Sequence, residues 1–431
     1  MSWFKALRLR WSSALVLGSL LAMLVAFLTY SLTGETRTLY LPGPTSAGHY
    51  QIELECKACH SEVFTDRAAL QVACVKCHGA ELKRVNDSHP EAKFTDPRNA
   101  SRIEQLDARF CIACHREHRP EVTTSMGLSL PKDYCFRCHQ GVADERPSHR
   151  GLRFETCQDA GCHNFHDNEA LYEDFLVKHY GEPSVLPSPK SPVLTYGKPA
   201  PLTPKDADAP ASLALDAGQT NVWAKSAHGQ SGTNCSDCHE SKGGKWQAGV
   251  PGERCAQCHE AERDGYLAGR HGMREAAGLA PMLVGDARQP MRSAAKKQTL
   301  GCTSCHGAHD FDTRKAAVDA CLGCHADPHS TTYRKSKHFA LFRADKSGNS
   351  GASCATCHLP RLSEEGEVRV SHNQNDTLRP NEKMVRVVCM NCHGLQFSLD
   401  ALADETLIAQ NFVGVPKAKV ESLEWARRRV K

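Results

Sequence analysis

Only one stretch of the chain is continuously apolar. It runs from about Ala14 to Leu28, extendable to Leu32, behind a Met1–Arg10 segment that carries Lys5, Arg8 and Arg10. A run of that length is about long enough to cross a bilayer as a helix, and its basic flank places the N-terminus in the cytoplasm. A cleaved secretory leader has the same outline. Thr29 to Thr38 reads TYSLTGETRT, however, with no small-x-small cleavage site at a suitable distance, which favours an uncleaved anchor.

The rest of the pattern is short and interrupted. Helical patterns cover Ala68 to Leu82 and Asn168 to His179, separated by turn-rich loops at Pro90, Pro97, Pro120 and Pro131. Prolines then crowd positions 183, 187, 189, 192, 199, 201, 204 and 210, in a segment from Gly181 to Ser212 without cysteine or histidine. Such a segment reads as a semi-rigid spacer or as a loop laid along a surface. Near the end, Ser398 to Phe412, with Leu399, Leu402, Leu407 and Ile408, and Lys417 to Val430 read as amphipathic helices. The basic terminus, Arg427, Arg428, Arg429 and Lys431, reads as a solvated helix end in favourable dipole placement, ahead of the alternative that it meets an acidic partner or lipid head groups. The expected fold is mainly α and irregular, with little β.

A repeated motif changes this picture. Ten units have the form C-x-x-C-H: Cys56, Cys59 and His60; Cys74, Cys77 and His78; Cys111, Cys114 and His115; Cys135, Cys138 and His139; Cys235, Cys238 and His239; Cys255, Cys258 and His259; Cys302, Cys305 and His306; Cys321, Cys324 and His325; Cys354, Cys357 and His358; Cys389, Cys392 and His393. An eleventh, Cys157, Cys162 and His163, has four residues between its thiols, and together the eleven use all 22 cysteines. The spacing is that of covalent c-type haem attachment: two thiols bond the vinyl groups of one porphyrin, and the adjacent histidine ligates its iron. Structural zinc needs no histidine directly after the second cysteine, and a disulfide scaffold needs no fixed short pairs. Eleven covalently bound haem c groups are therefore expected.

Composition fits that expectation. A formal charge of +4 over 431 residues, with scattered Lys and Arg, gives no sign of nucleic acid. Aromatic content of 6% is poor material for the core of so long a chain. From Cys56 to His393 the eleven units share 338 residues, so each short segment can wrap and bury one macrocycle.

The 23 histidines leave twelve beyond the motifs: His49, His89, His118, His149, His166, His179, His228, His271, His309, His329, His338 and His372. These are candidates for the second axial position of each iron, with one to spare, and His49 and His179 are the least secure of them. His309 and His329, close behind proximal histidines, are better placed to cap a neighbouring haem than their own. An iron held by two imidazoles can only pass electrons, whereas haem catalysis needs an open or weakly held position.

Two resemblances bear on function. GHYQIELECKACH, SHPEAKF, CIACHREH, CFRCHQG, RPSHRGL and GCHNFHDN resemble the pentahaem cytochromes related to the tetrahaem c3 family. WAKSAHGQSGTNCSDCH, YRKSKHFA, CATCHLP and SHNQND resemble the later part of the octahaem hydroxylamine oxidoreductase and cytochrome c nitrite reductase superfamily. This chain lacks the lysine-ligated haem of typical nitrite reductases, since every unit ends in histidine. No tyrosine follows Tyr333 to form the cross-linked haem of hydroxylamine oxidoreductase.

The expected organisation is a cytoplasmic tail and transmembrane anchor at 1–34, a pentahaem domain at 35–180, a proline-rich linker at 181–217, a hexahaem domain at 218–395 and C-terminal helices at 396–431. The expected function is electron transfer between a quinol-linked partner at a bacterial inner membrane and periplasmic or outer-membrane redox partners, with the haem domains in the periplasm. The alternative is an oxidoreductase acting on a small nitrogen or sulfur compound at one open haem of the second region, with His338 or His372 lining a pocket. The sequence does not speak to oligomeric state.

Overall fold

The computed structural model describes residues 2–31, 34–62, 65–124, 127–131, 133–151, 163–167, 171–194, 200–240, 243–345, 351–364, 366–378 and 381–430. About half of the chain is helical. The only strands among the described residues are Arg361–Glu364 and Glu367–Val370, paired antiparallel with Arg361 opposite Val370. The fold is thus mainly α with little β.

The N-terminal helix, Ser2–Ser31, is the longest. Its apolar 18-residue window, Ala14–Ser31, spans about 27 Å at the helical rise of about 1.5 Å per residue. That is long and apolar enough to cross a membrane, and its side chains from Ala14 to Tyr30 are exposed.

Two compact units divide the chain. The first comprises 1–74 and 110–130, the second 75–109 and 131–431. In the first, the segment after the apolar helix is laced to the loop around Glu117. Ser46 donates from N and Oγ to the Glu117 carboxylate, and His118 Nδ1 donates to the Gly43 carbonyl at 2.7 Å.

The second unit holds the apolar clusters. Leu171, Leu176, Val385, Leu395, Leu399, Leu423 and Ala426 form one, with Phe175 and Met390 packed against it. Val318, Leu322 and Tyr333 form another, beside Phe339, Phe342 and Cys354. The C-terminal helix Ser422–Val430 joins the first cluster by burying Leu423 and Ala426. Arg427 stacks on the Tyr180 ring and pairs with Glu424, while Arg429 donates to the Arg150 carbonyl. The basic end is therefore partly engaged rather than simply solvated. Upstream, the helical pattern of 398–412 forms two helices, Leu395–Ala403 and Glu405–Ala409. Asp404 interrupts it, because its carboxylate accepts from the backbone of Leu407 and of Lys417.

The proline-rich segment lies along the second unit. Between its prolines, Leu186 and Lys190 donate to the carbonyls of Cys392 and Asn391, and Ala200 and Leu202 donate to those of Gln230 and Gly229. Pro183 and Pro192 offer only carbonyls, which accept from Gly394 and Arg361. Of the two sequence readings, the contacts match a strap on a surface.

Candidate functional site

Each of the ten fully described attachment motifs closes a helical turn. The histidine N–H donates to the carbonyl of the first cysteine, four residues back, at His60, His115, His139, His259, His325 and His393, over 2.7–3.1 Å. Positions i, i+3 and i+4 share one face of a helical turn. Both thiols and the imidazole can therefore address the same macrocycle. Local capping fixes two of these turns: Asn234 with Asp237 before Cys235, and Ser353 with Thr356 before Cys354. The twenty described cysteines form no disulfide. Cys157 and Cys162 lie outside the described residues.

Among the described residues, eight proximal histidines face a second imidazole. The pairs are His139–His89 at 6.2 Å between ring centroids, His163–His149 at 6.0, His239–His309 at 6.0, His259–His228 at 5.9, His306–His372 at 6.1, His325–His271 at 6.4, His358–His329 at 6.0 and His393–His338 at 6.0. This is too wide for stacking contact. It matches an iron bonded to both rings, since two metal–nitrogen bonds of about 2 Å plus the two ring radii fill such a gap. Among the described residues no cluster of three or more His, Cys, Asp or Glu converges as a bare metal site would need. The residues present fit haem c held by two thioethers and two imidazoles.

The surroundings orient the rings. His115 Nδ1 donates to Gly127 O, His239 Nδ1 to Gln247 O, His372 Nδ1 to Val370 O and His393 Nδ1 to Ser184 O, over 2.7–3.0 Å. His89 and His329 donate to the carbonyls of Phe165 and Ile408. His49 meets Glu117 at 2.7 Å and His166 meets Asp87 at 3.2 Å. Occupying Nδ1 in this way leaves Nε2 to bond a metal. Burial also keeps many of these imidazoles neutral, the form that ligates. It pushes His271 and His358 down to about 4, and lowers His89, His139, His149, His163, His228, His306, His309, His325 and His338.

Backbone conformation explains the doubled patterns CHREH and CHGAH. His118 and His309 have φ of 58° and 72°, in the left-handed region that side chains beyond glycine rarely adopt. That turn swings His309 away from the haem site of its own motif and toward His239. His329, four residues after His325, faces His358 in the same cross-capping manner.

Neighbouring motifs bring their thiols together. Cys255 and Cys302 lie within hydrogen-bonding reach, as do Cys321 and Cys354, and Cys74 and Cys111. Burial pushes the Cys305 thiol up to about 11, with the nearby Cys321 and Cys324 adding to the effect. Cys357 rises to about 11 for the same reason, with Cys392 beside it, and Cys238 senses Cys258. From Cys235 to Cys389 the attachment sites thus adjoin one another in chain order.

Four candidates remain for three proximal histidines. His49, His60, His115 and His118 lie in the first compact unit, and His78, His166 and His179 in the second. His78 Nδ1 lies 3.9 Å from Glu81, whose carboxylate also pairs with Lys383. Burial opposes ionisation of Glu81, yet His78 and Lys383 hold it down at about 2. The carbonyl acceptors and the left-handed histidine turns were not predicted from sequence. Backbone carbonyls leave no side-chain signature, although the acidic neighbour in CHREH could have flagged Glu117.

Residues 48–140 match the cytochrome c3 family. The match supports a multihaem c-type cytochrome. It spans the four motifs at Cys56, Cys74, Cys111 and Cys135, and so implies covalently bound haem c in this cytochrome. No curated protein and no solved structure matches the chain, so the likeness of its later half to the hydroxylamine oxidoreductase and nitrite reductase superfamily gains no support.

Proposed function

We propose that this protein is a membrane-anchored electron carrier with eleven haem c groups, each held by its motif cysteines and by two histidines. Haem c supplies a reversible one-electron couple when bound; the chain supplies attachment, closure and spacing. The observation that carries this reading is the set of eight facing imidazole pairs, because a coordination sphere closed on both sides excludes substrate. His60, His78 and His115 would complete the set with partners drawn from His49, His118 and His166. The helix Ser2–Ser31 would anchor the protein in a bacterial inner membrane, with the haem regions in the periplasm. Partners would be a quinol-oxidising or other redox protein on the membrane side and a periplasmic or outer-membrane protein beyond it.

Continuity between the two motif-bearing regions is part of the proposal. The Tyr172 ring meets His163 at 5.0 Å, and Leu171 and Leu176 share an apolar cluster with Leu395 and Met390, which flank His393. On another side, Glu81 and Arg84, just after His78, pair with Lys383 and Asp376. Both joints lie within the second compact unit. They support a continuous path between the two regions.

The rival reading, an oxidoreductase for a small nitrogen or sulfur compound, needs one open iron. Its candidates His338 and His372 each face a proximal imidazole, which leaves it without support in the geometry. The test is low-temperature electron paramagnetic resonance of the oxidised full-length protein, with and without nitrite and hydroxylamine. Only low-spin signals, unchanged by either compound, are expected. A high-spin signal that moves on their addition would replace the carrier reading with the enzyme reading.

A further inference from the structure

Twelve histidines stand outside the motifs for eleven proximal ones, so bis-histidine closure leaves one over. His179 differs from the rest in what surrounds it. It sits at the C-terminal end of the helix Glu173–Lys178, with its ring 4.4 Å from that of Phe175 and Nδ1 2.7 Å from Glu182 Oε1. The flanking residues belong to the apolar cluster shared with 385–399. The attachment sites that adjoin this cluster are those of His163 and His393, and both already face another imidazole, His149 and His338. His78, the remaining proximal histidine of the second unit, has His166 in that unit to draw on.

Its carboxylate partner is committed in a second direction. Glu182 Oε2 accepts from the backbone N of Leu395 at 3.1 Å, Pro183 O accepts from Gly394 N at 3.1 Å, and Ser184 O accepts from His393 Nδ1 at 2.7 Å. Three consecutive residues, 182–184, therefore fasten the chain from His393 to Leu395. Glycine at 394 permits this approach, since a Cβ there would lie 2.6 Å from Pro183 O.

We infer that His179 is the surplus histidine and acts instead as a positioning residue. Through Glu182 it holds the 182–184 strap that orients the proximal His393 of the last haem site. The inference rests on the bis-histidine reading above and adds that the chain regulates one particular site by a hydrogen-bond relay. A more strongly donating His393 Nδ1 makes a more basic ligand, which shifts the potential of that site alone.

The test uses the full-length holoprotein and three variants, His179→Ala, His179→Asn and Glu182→Gln. Haem content by intact mass should stay at eleven in all three, and no high-spin signal should appear. In spectropotentiometric titration, His179→Ala and Glu182→Gln should each displace one haem midpoint and leave the others in place. His179→Asn, which keeps a donor toward Glu182, should restore it. A high-spin ferric signal in His179→Ala or His179→Asn would identify His179 as an axial ligand and overturn the inference. So would midpoints identical to wild type in both His179→Ala and Glu182→Gln. An open iron in the wild type would instead count against the carrier reading, and the wild-type-to-variant difference would still decide the role of His179.

Discussion

The two compact units differ in where their order comes from. All eight facing imidazole pairs lie in the second unit, and so does every buried apolar side chain among the described residues, from Phe94 to Ala426. The first unit buries Ser31 and Gln51 and no apolar side chain among those described. It is held by polar lacing such as Glu117 to Ser46 and His49. Imidazole pairs at a preset spacing thus accompany a core that protein side chains build for themselves. A unit without such a core must take its apolar packing from the macrocycles it attaches.

The sharpest way to break this comparison is to withhold haem. In chain produced without haem attachment, protease should cut first within 35–74 and 110–130, while the segments around Leu395 and Leu423 stay protected longest. Uniform cleavage, followed by mass spectrometry of the fragments, would show that both units depend on haem equally. Next in size is a single ligand in the ordered unit. His338→Ala should open the site of His393, giving a new high-spin signal that nitrite alters, with the haem content by intact mass unchanged from wild type. Retention of a purely low-spin spectrum would mean that the 6.0 Å pairing does not mark axial ligation.

Smaller effects probe the core directly. Leu423 is fully buried among Leu171, Leu176 and Leu395, so Leu423→Ala should lower stability by about 2–5 kcal/mol. Thermal unfolding followed at the haem absorbance would read the loss, and a change within error would remove the cluster from the account of the second unit. The smallest effect is expected at the Glu81–Lys383 pair. Lys383→Ala should cost about 1 kcal/mol or less, because the pair is only partly buried and water compensates. A loss several times larger would make this ion pair, rather than the apolar cluster, the main joint between the regions.

Much of the chemistry was legible in the chain. The motif spacing groups two thiols with one histidine, and in the ten described C-x-x-C-H motifs the backbone sets i, i+3 and i+4 on one turn. The histidine count indicated near-complete closure. The apolar run from Ala14 to Leu28 falls within the helix Ser2–Ser31, and the low strand content was expected. The C-terminal helices were placed but not their break, since Asp404 acts by capping Leu407 and Lys417, a local competition that hydrophobic periodicity does not report.

Partner choice was not legible. His228 faces His259, His271 faces His325, and His372 faces His306, across separations that no local rule sets. The segment 181–194 reads in sequence equally as a spacer or as a surface loop, and it takes the second form because carbonyls and amides left between prolines find partners near His393. By itself the sequence determined which cysteines and histidines stand together in attachment motifs, since that depends only on spacing within one turn. Only the tertiary structure decided which histidine faces which, because that depends on how distant segments pack and where a left-handed turn, as at His309, sends a ring.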